Sequence, residues 1–414
     1  MAASEVSVPD ELVQHYMVLE LAMGTHDENH VDAYFGPEKL KTEAQQLGLS
    51  LEQISVQSQA INAGLDILAA ESDDPMLRAR VKGLRHRLLA LYTRISMAEG
   101  RKFGFDVEAK LLFDARPPEF DDAHFQGILD DIDALIPGDL QLTERVNQFR
   151  DRFIIPSERL EKVFDAAIAE CRRRTLEHIE LPEHESFRLE YVTDKPWSGY
   201  NWYQGNAESL IQINTDLPIY IDRAVDLGCH EGYPGHHTYN ALLEQNLVKD
   251  KGWLEYTLYP LFSPQSLIAE GTANYGIDLA FPGNERQEFE RNVLFPMAGL
   301  DPNEADRFYQ LLELLGRLNY TSNQAARDLL DGVKDEEQTT RWLQRYALRS
   351  PERAAQSIRF YRAYRSYVIN YNLGQDLVRD YVEAGLDDPQ VHWARFKTLL
   401  SSPLQASDLV SESN

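Results

Sequence analysis

Cysteine is almost absent from this chain: Cys171 and Cys229 are the only two in 414 residues. Two cysteines do not make a disulfide framework, so the natural reading is a reducing compartment and a cytoplasmic protein. Cys229, as the immediate neighbour of His230, is expected to point away from it as a small buried residue. Long apolar runs are missing too. No segment approaches the roughly 20 apolar residues of a membrane span. The N-terminus, MAASEVSVPDEL, has no basic stretch leading into an apolar one, so no signal peptide is expected. Basic residues are also scarce: 41 Lys and Arg against 67 Asp and Glu leave a formal net charge of −26. Nucleic acid and anionic membrane both need basic patches, so neither is an expected partner.

What is present fits an enzyme with a substantial core. Hydrophobic residues make up 43% of the chain, and its length suits two domains or one large helical one. Helical periodicity dominates, over Ser7–Ala22, Leu51–Glu71, Pro75–Ala98, Pro156–Glu177 and Pro302–Leu330. Prolines 156 and 302 fall near helix starts, where the missing amide hydrogen costs nothing. Leu181–Glu185 (LPEHE) reads as a junction. It separates a helical N-terminal region, 1–180, from a catalytic region, 181–414, within what could be one continuous domain. Phe187–Val192 then alternates apolar and polar residues, the strand period. Asn201–Gly205 and Ser209–Asn214 follow, with Gly199 and Gly205 as turn signals. The expected fold is mainly α (α+β), with a small antiparallel sheet feeding the helix that carries His230. Trp197, Trp202 and Tyr203 would line a side-chain pocket there or fill the sheet core. An exposed edge strand of such a sheet can pair with an extended peptide.

The chemistry concentrates in His230-Glu231-Gly232-Tyr233-Pro234-Gly235-His236-His237. In the zinc-hydrolase helix H-E-x-x-H both His residues share a face at i, i+4, and the Glu activates water. Here the second His comes two places late. On an ideal helix an i, i+6 pair is about 9 Å apart along the axis and about 240° around it. Two such imidazoles cannot share one ion. Pro234 breaks the ladder, having no amide hydrogen for the carbonyl of residue 230, and Gly235 tolerates dihedrals that other residues avoid. A local bulge at Pro234-Gly235 would bring His236 to the ligand position. His237 is the alternative ligand, or a donor to a reacting carbonyl oxygen.

This octapeptide resembles the HExxPGHH signature of a large bacterial family of unknown function suspected of metallopeptidase activity. That family carries a second signature, E-G-W-A-x-Y. This chain has a similar run, Glu270-Gly271-Thr272-Ala273-Asn274-Tyr275, with Thr in place of Trp. A further family run, R-L-x-x-D-x-G-x-H, is only begun by Arg317-Leu318-Asn319-Tyr320-Thr321-Ser322-Asn323, so the contacts carried by its Asp and His do not transfer. The resemblance implies a helical zincin-like architecture and a zinc-dependent peptidase. The residues argue the same way. Three protein ligands plus an open position is the catalytic zinc pattern, and His, His and Glu are a common set. Glu270 lies on an apolar-periodic helix, Gly271 permits a close backbone approach, and Asn274 is one turn on, placed to orient a ligand.

A last constellation runs from Arg359 to Gln375. Tyr364, Tyr367 and Tyr371 share a helical face by i, i+3, i+7 spacing. Tyr367 and Tyr371 are candidate donors to a developing oxyanion, and Arg362 or Arg365 could grip a substrate carboxylate. The stripe reads equally as core. The sequence-based assignment is Zn2+ on His230, His236 and Glu270, with Glu231 as general base and a peptide as substrate. Two other readings remain: an Fe(II) oxygenase built on a 2-His-1-carboxylate set, and a non-catalytic metal-containing peptide-binding protein.

Overall fold

The computed structural model describes residues 8–71, 73–195 and 197–410. The protein is mainly α-helical with a small sheet placed before the His230 helix. Helices occupy Val8–Met23, Leu51–Glu71 and Pro75–Ala98, as their apolar spacing predicts; Ser7 lies outside the described residues. Pro75 takes the first turn of its helix behind Asp74, whose carboxylate accepts the Met76 amide. The Pro156–Glu177 expectation resolves into a short 3-10 turn, Ser157–Arg159, and a helix, Leu160–Leu176. Pro302–Leu330 is not one helix. It divides into Ala305–Arg317 and Thr321–Leu330. Gly316 is a weak helix former, and the Thr321 hydroxyl donates to the Leu318 carbonyl at 2.6 Å, giving that carbonyl a partner outside the helix ladder.

Two strands, β1 (Val31–Tyr34) and β5 (Leu258–Pro260), pair antiparallel. This joins the N-terminal helices to the C-terminal half. Three more, β2 (Ser186–Val192), β3 (Gly199–Gly205) and β4 (Glu208–Asn214), form a sheet in the order β2-β4-β3. The β3–β4 hairpin is antiparallel, and its turn runs through Gly205, Asn206 and Ala207, all at positive φ. β2 then adds to β4 in parallel, so the sheet is mixed. β4, the central strand, buries Ile211 and Ile213.

The core falls into two main clusters. The smaller gathers apolar residues of the N-terminal helices, from Val13 to Ile95, with Leu258 of β5. The larger takes in the rest of the chain and reaches back to Ala90. Among the described residues no helix is long and apolar enough to cross a membrane.

Cysteine usage corrects a sequence expectation. Cys171 of the Leu160–Leu176 helix is bonded to Cys229, and both are fully buried. Scarcity argues against a framework of many bridges, but a single bridge needs only two suitably placed Cα atoms, here 5.5 Å apart. The argument from cysteine to a reducing compartment therefore loses its premise.

Candidate metal centre

A short helix, Asp222–Leu227, widens into a π-turn over Gly228–Gly232 and stops. Tyr233 is extended, as expected for a residue before proline, and a new helix begins at His236. The sequence predicts a bulge in one helix; the chain instead breaks into two. Gly235 closes the break. Its amide donates to the Cys229 carbonyl at 3.0 Å, and a Cβ there would lie 1.8 Å from the His230 carbonyl oxygen. Only glycine lets the new helix start this close to the old one.

The consequence is a compact group. One ligand-type atom from each of His230, His236 and Glu270 lies within 4.8 Å of the others, an arrangement that could hold a metal ion. The Nε2 atoms of His230 and His236 stand 3.3 and 3.8 Å from Glu270 Oε2, and the two rings meet at 90°. Glu270 Oε2 is buried and has no hydrogen-bond partner, while Oε1 accepts the Tyr367 hydroxyl at 2.8 Å. A buried carboxylate oxygen left bare between two imidazole nitrogens fits a cation at that point. The far nitrogen of His230, Nδ1, is 2.9 Å from Asn274 Oδ1, and Asn274 Nδ2 donates to the Tyr371 carbonyl. Asn274 thus fixes the ring that presents Nε2 to the group, the orienting part foreseen for it.

The Glu270 helix, Pro264–Ala280, is buried along nearly its whole length. A Cβ on Gly271 would lie 2.4 Å from the Gly374 carbonyl oxygen, so the backbone that approaches closely there is the helix Ile369–Glu383. The His230–His237 loop packs five residues further on, where a Cβ on Gly276 would meet Pro234 at 2.8 Å.

Electrostatics follow from burial. Desolvation pushes the Glu231 carboxyl up to about 7, with Glu270 adding to the rise and His230 opposing it. Burial and the neighbouring His230 hold His236 down at about 4. Burial works to raise Glu270, but His230 and His236 outweigh it and keep the carboxyl below its ordinary range. Glu231 lies against β3, where a Cβ on Gly199 would come within 3.0 Å of its Oε1, and Asn201 Nδ2 donates to its backbone carbonyl at 2.7 Å.

His237 lies outside the group. Its ring is fully buried, with Nδ1 2.8 Å from Ser209 Oγ and Nε2 3.0 Å from Glu185 Oε2. Tyr233 and Arg172 complete the grip on Glu185. Both ring nitrogens are spent on holding the metal loop to the sheet, so His237 has neither a lone pair nor a proton for a ligand or substrate role. His237→Ala should leave metal content unchanged while lowering stability by about 1–3 kcal/mol, the scale for leaving a buried hydrogen-bonding group without its partner. Elemental analysis beside a denaturant titration would check this; metal loss without destabilisation would reverse the assignment.

The tyrosines do not share one continuous helix. Arg365 turns to positive φ, and a 3-10 turn, Arg365–Val368, separates Pro351–Tyr364 from Ile369–Glu383. Tyr364, Tyr367 and Tyr371 nevertheless all line the pocket. Tyr367 is committed to Glu270, so it positions that carboxylate. Tyr371 has its ring 5.8 Å from that of Tyr367, and burial with the charges of Glu270 and Glu231 raises its hydroxyl well above the usual range. Such a hydroxyl stays protonated and can donate. Arg362 pairs with Glu336 and Arg365 with Glu108, so neither is free to grip a substrate.

The pocket around the group has a volume of about 940 Å³. Trp197, Trp202 and Tyr203 line it, so the pocket reading of these aromatics applies, although Tyr203 is also core. Sequence reasoning missed Asp32 and Tyr200, which line it together, the Tyr200 hydroxyl donating to Asp32. Burial pushes Asp32 up to about 6, against the Tyr200 hydrogen bond and with help from Glu270.

No family model matches the chain, and no curated protein does. Among solved structures, a protein from Colwellia psychrerythraea provisionally described as a lipoprotein aligns at TM-score 0.51 and 17% identity, over 99% of this chain and 76% of its own. The fold is shared. An M32 carboxypeptidase from Deinococcus radiodurans R1 aligns at TM-score 0.45 and 13% identity, over 95% of this chain and 90% of its own. A second such lipoprotein, of unknown function, from Shewanella oneidensis aligns at 0.44 and 14%, over 89% and 75%. At these identities the first likeness speaks to fold alone, and the other two carry no argument about activity.

Proposed function

We propose that this protein is a zinc-dependent hydrolase of peptide bonds, acting on short peptides. The observation that carries the reading is the bare, buried Glu270 Oε2 facing Nε2 of both His230 and His236, with Glu231 next to His230 in the same pocket. His230, His236 and Glu270 would hold the ion, and a His, His, Glu set favours zinc. Zinc supplies Lewis acidity, polarising the peptide carbonyl and making water acidic near neutral pH. Glu231 takes the proton from the attacking water and passes it to the departing amine. The Tyr371 hydroxyl donates to the oxygen that gains charge. Asn274 and Tyr367 keep His230 and Glu270 in place.

The test is metal analysis of the purified protein combined with a turnover screen on short peptide libraries. Zinc near one equivalent, with hydrolysis lost on chelation and regained with zinc, is the expected result. Stoichiometric iron with oxygen consumption, or zinc with no hydrolysis of any peptide, would overturn it.

A further inference from the structure

Four charged side chains of the pocket lining have an opposite charge against them. Arg223 meets Asp226, Arg286 meets Glu290 and Asp226, and Asp278 meets Arg379. Leaving aside the metal group, Glu231 and the exposed Glu28, two charged side chains in the lining have no opposite charge against them among the described residues. One is Asp32, held by the Tyr200 hydroxyl. The other is Arg349, held by the hydroxyls of Ser322, at 3.0 Å, and Ser357. Both are half-buried. Each is steadied by neutral donors or acceptors that leave its charge available to an opposite charge entering the pocket.

Their placement is ordered. The helix Pro351–Tyr364 runs along the pocket, presenting Ser357, Phe360, Tyr361 and Tyr364 to it. Residues seven apart lie on the same face, about 10.5 Å along the axis. The Tyr364 end is the metal end, because the Tyr364 ring lies 6.1 Å from that of Tyr367, which touches Glu270. Asp32 accepts from Tyr200, which stands in β3 between Gly199 and Asn201, the two residues against Glu231, so it belongs to this end. Arg349 is bonded to Ser357 at the other. The two charges therefore stand toward opposite ends of that helix in one pocket.

Resting on the peptidase reading above, we propose that the pocket recognises both ends of a short zwitterionic peptide, Asp32 receiving its ammonium group beside the metal and Arg349 its terminal carboxylate. Guanidinium and carboxylate are matched for a two-pronged contact, and the aromatic wall between them accepts side chains without selecting strongly.

Binding is measured by calorimetry on zinc-loaded Glu231→Gln protein, and turnover on the wild type, using one tripeptide in four forms: free, N-acetylated, C-amidated and doubly blocked. Each single block should weaken binding about tenfold to a hundredfold, the range for a lost charge-assisted contact. Asp32→Asn should remove the penalty for acetylation and leave that for amidation. Arg349→Gln should do the reverse. The comparison of blocked forms uses no substitution at either anchor, so it stands even if a variant fails to fold. Equal binding of free and blocked forms overturns the proposal, and a penalty at one end only overturns its two-ended form. A terminus-dependent affinity with no wild-type hydrolysis sinks the peptidase reading instead and leaves the recognition standing.

Discussion

Glu231→Gln protein should retain its zinc and lose turnover by on the order of 10²–10⁴-fold, the usual contribution of a positioned general base. The amide is nearly the same size as the carboxylate, so the contact with Gly199 and the Asn201 hydrogen bond to the backbone carbonyl survive. What is lost is the ability to accept a proton. Glu231 is not one of the three clustered ligand residues, so the metal should not notice. Peptide binding should be nearly unchanged, which places the loss in kcat rather than KM. Activity within a factor of a few of wild type would remove Glu231 from the reaction.

The second large effect is at Glu270. Glu270→Ala should strip the metal as completely as His230→Ala, because two neutral imidazoles supply neither the third bond nor any charge to offset the ion. Asn274→Ala should cost less, about 10- to 100-fold in metal affinity, since it leaves all three ligands in place and frees only the orientation of the His230 ring. Competition against a chromophoric chelator would rank the variants. A Glu270→Ala protein with a full equivalent of zinc would mean that the third ligand lies elsewhere.

His230 and His236 are legible in the sequence because local spacing encodes them, whereas Glu270 is singled out by the likeness of its run to the family's second signature. His230 and His236 are six apart with Pro-Gly between, which only a break makes useful, and Asn274 follows Glu270 by one helical turn. Their surroundings are not local. Asp32 sits in HVDAYF, a segment with no motif, and reaches the pocket through the β1–β5 pairing across more than two hundred residues. Glu185 lies in what reads as a polar junction, yet it anchors His237 and Tyr233. Arg362 and Arg365 look available because their partners, Glu336 and Glu108, are distant in sequence. Arg349 stands out only once those pairings are known. Strand order is hidden for a related reason: alternation identifies β2, β3 and β4, but β4 takes the centre through pairing preferences that no single strand displays.

The glycine contact between the Glu270 helix and the helix carrying Tyr371 has a mechanical consequence. With Gly271 and Gly374 backbone against backbone, the two helices have no side-chain layer at their crossing that could slide or repack, and side chains such as Asn274 and Asp278 tie them together beside it. The Glu270 and Tyr371 side of the cleft therefore behaves as one stiff wall. If the pocket narrows around a peptide, the travel falls to the wall where β1 and β3, held by strand pairing rather than by a glycine contact between helices, bring Asp32, Tyr200 and Trp202. An anchor for one end of a substrate would then ride on the mobile side, while the ligand carboxylate and the tyrosines stay fixed beneath it.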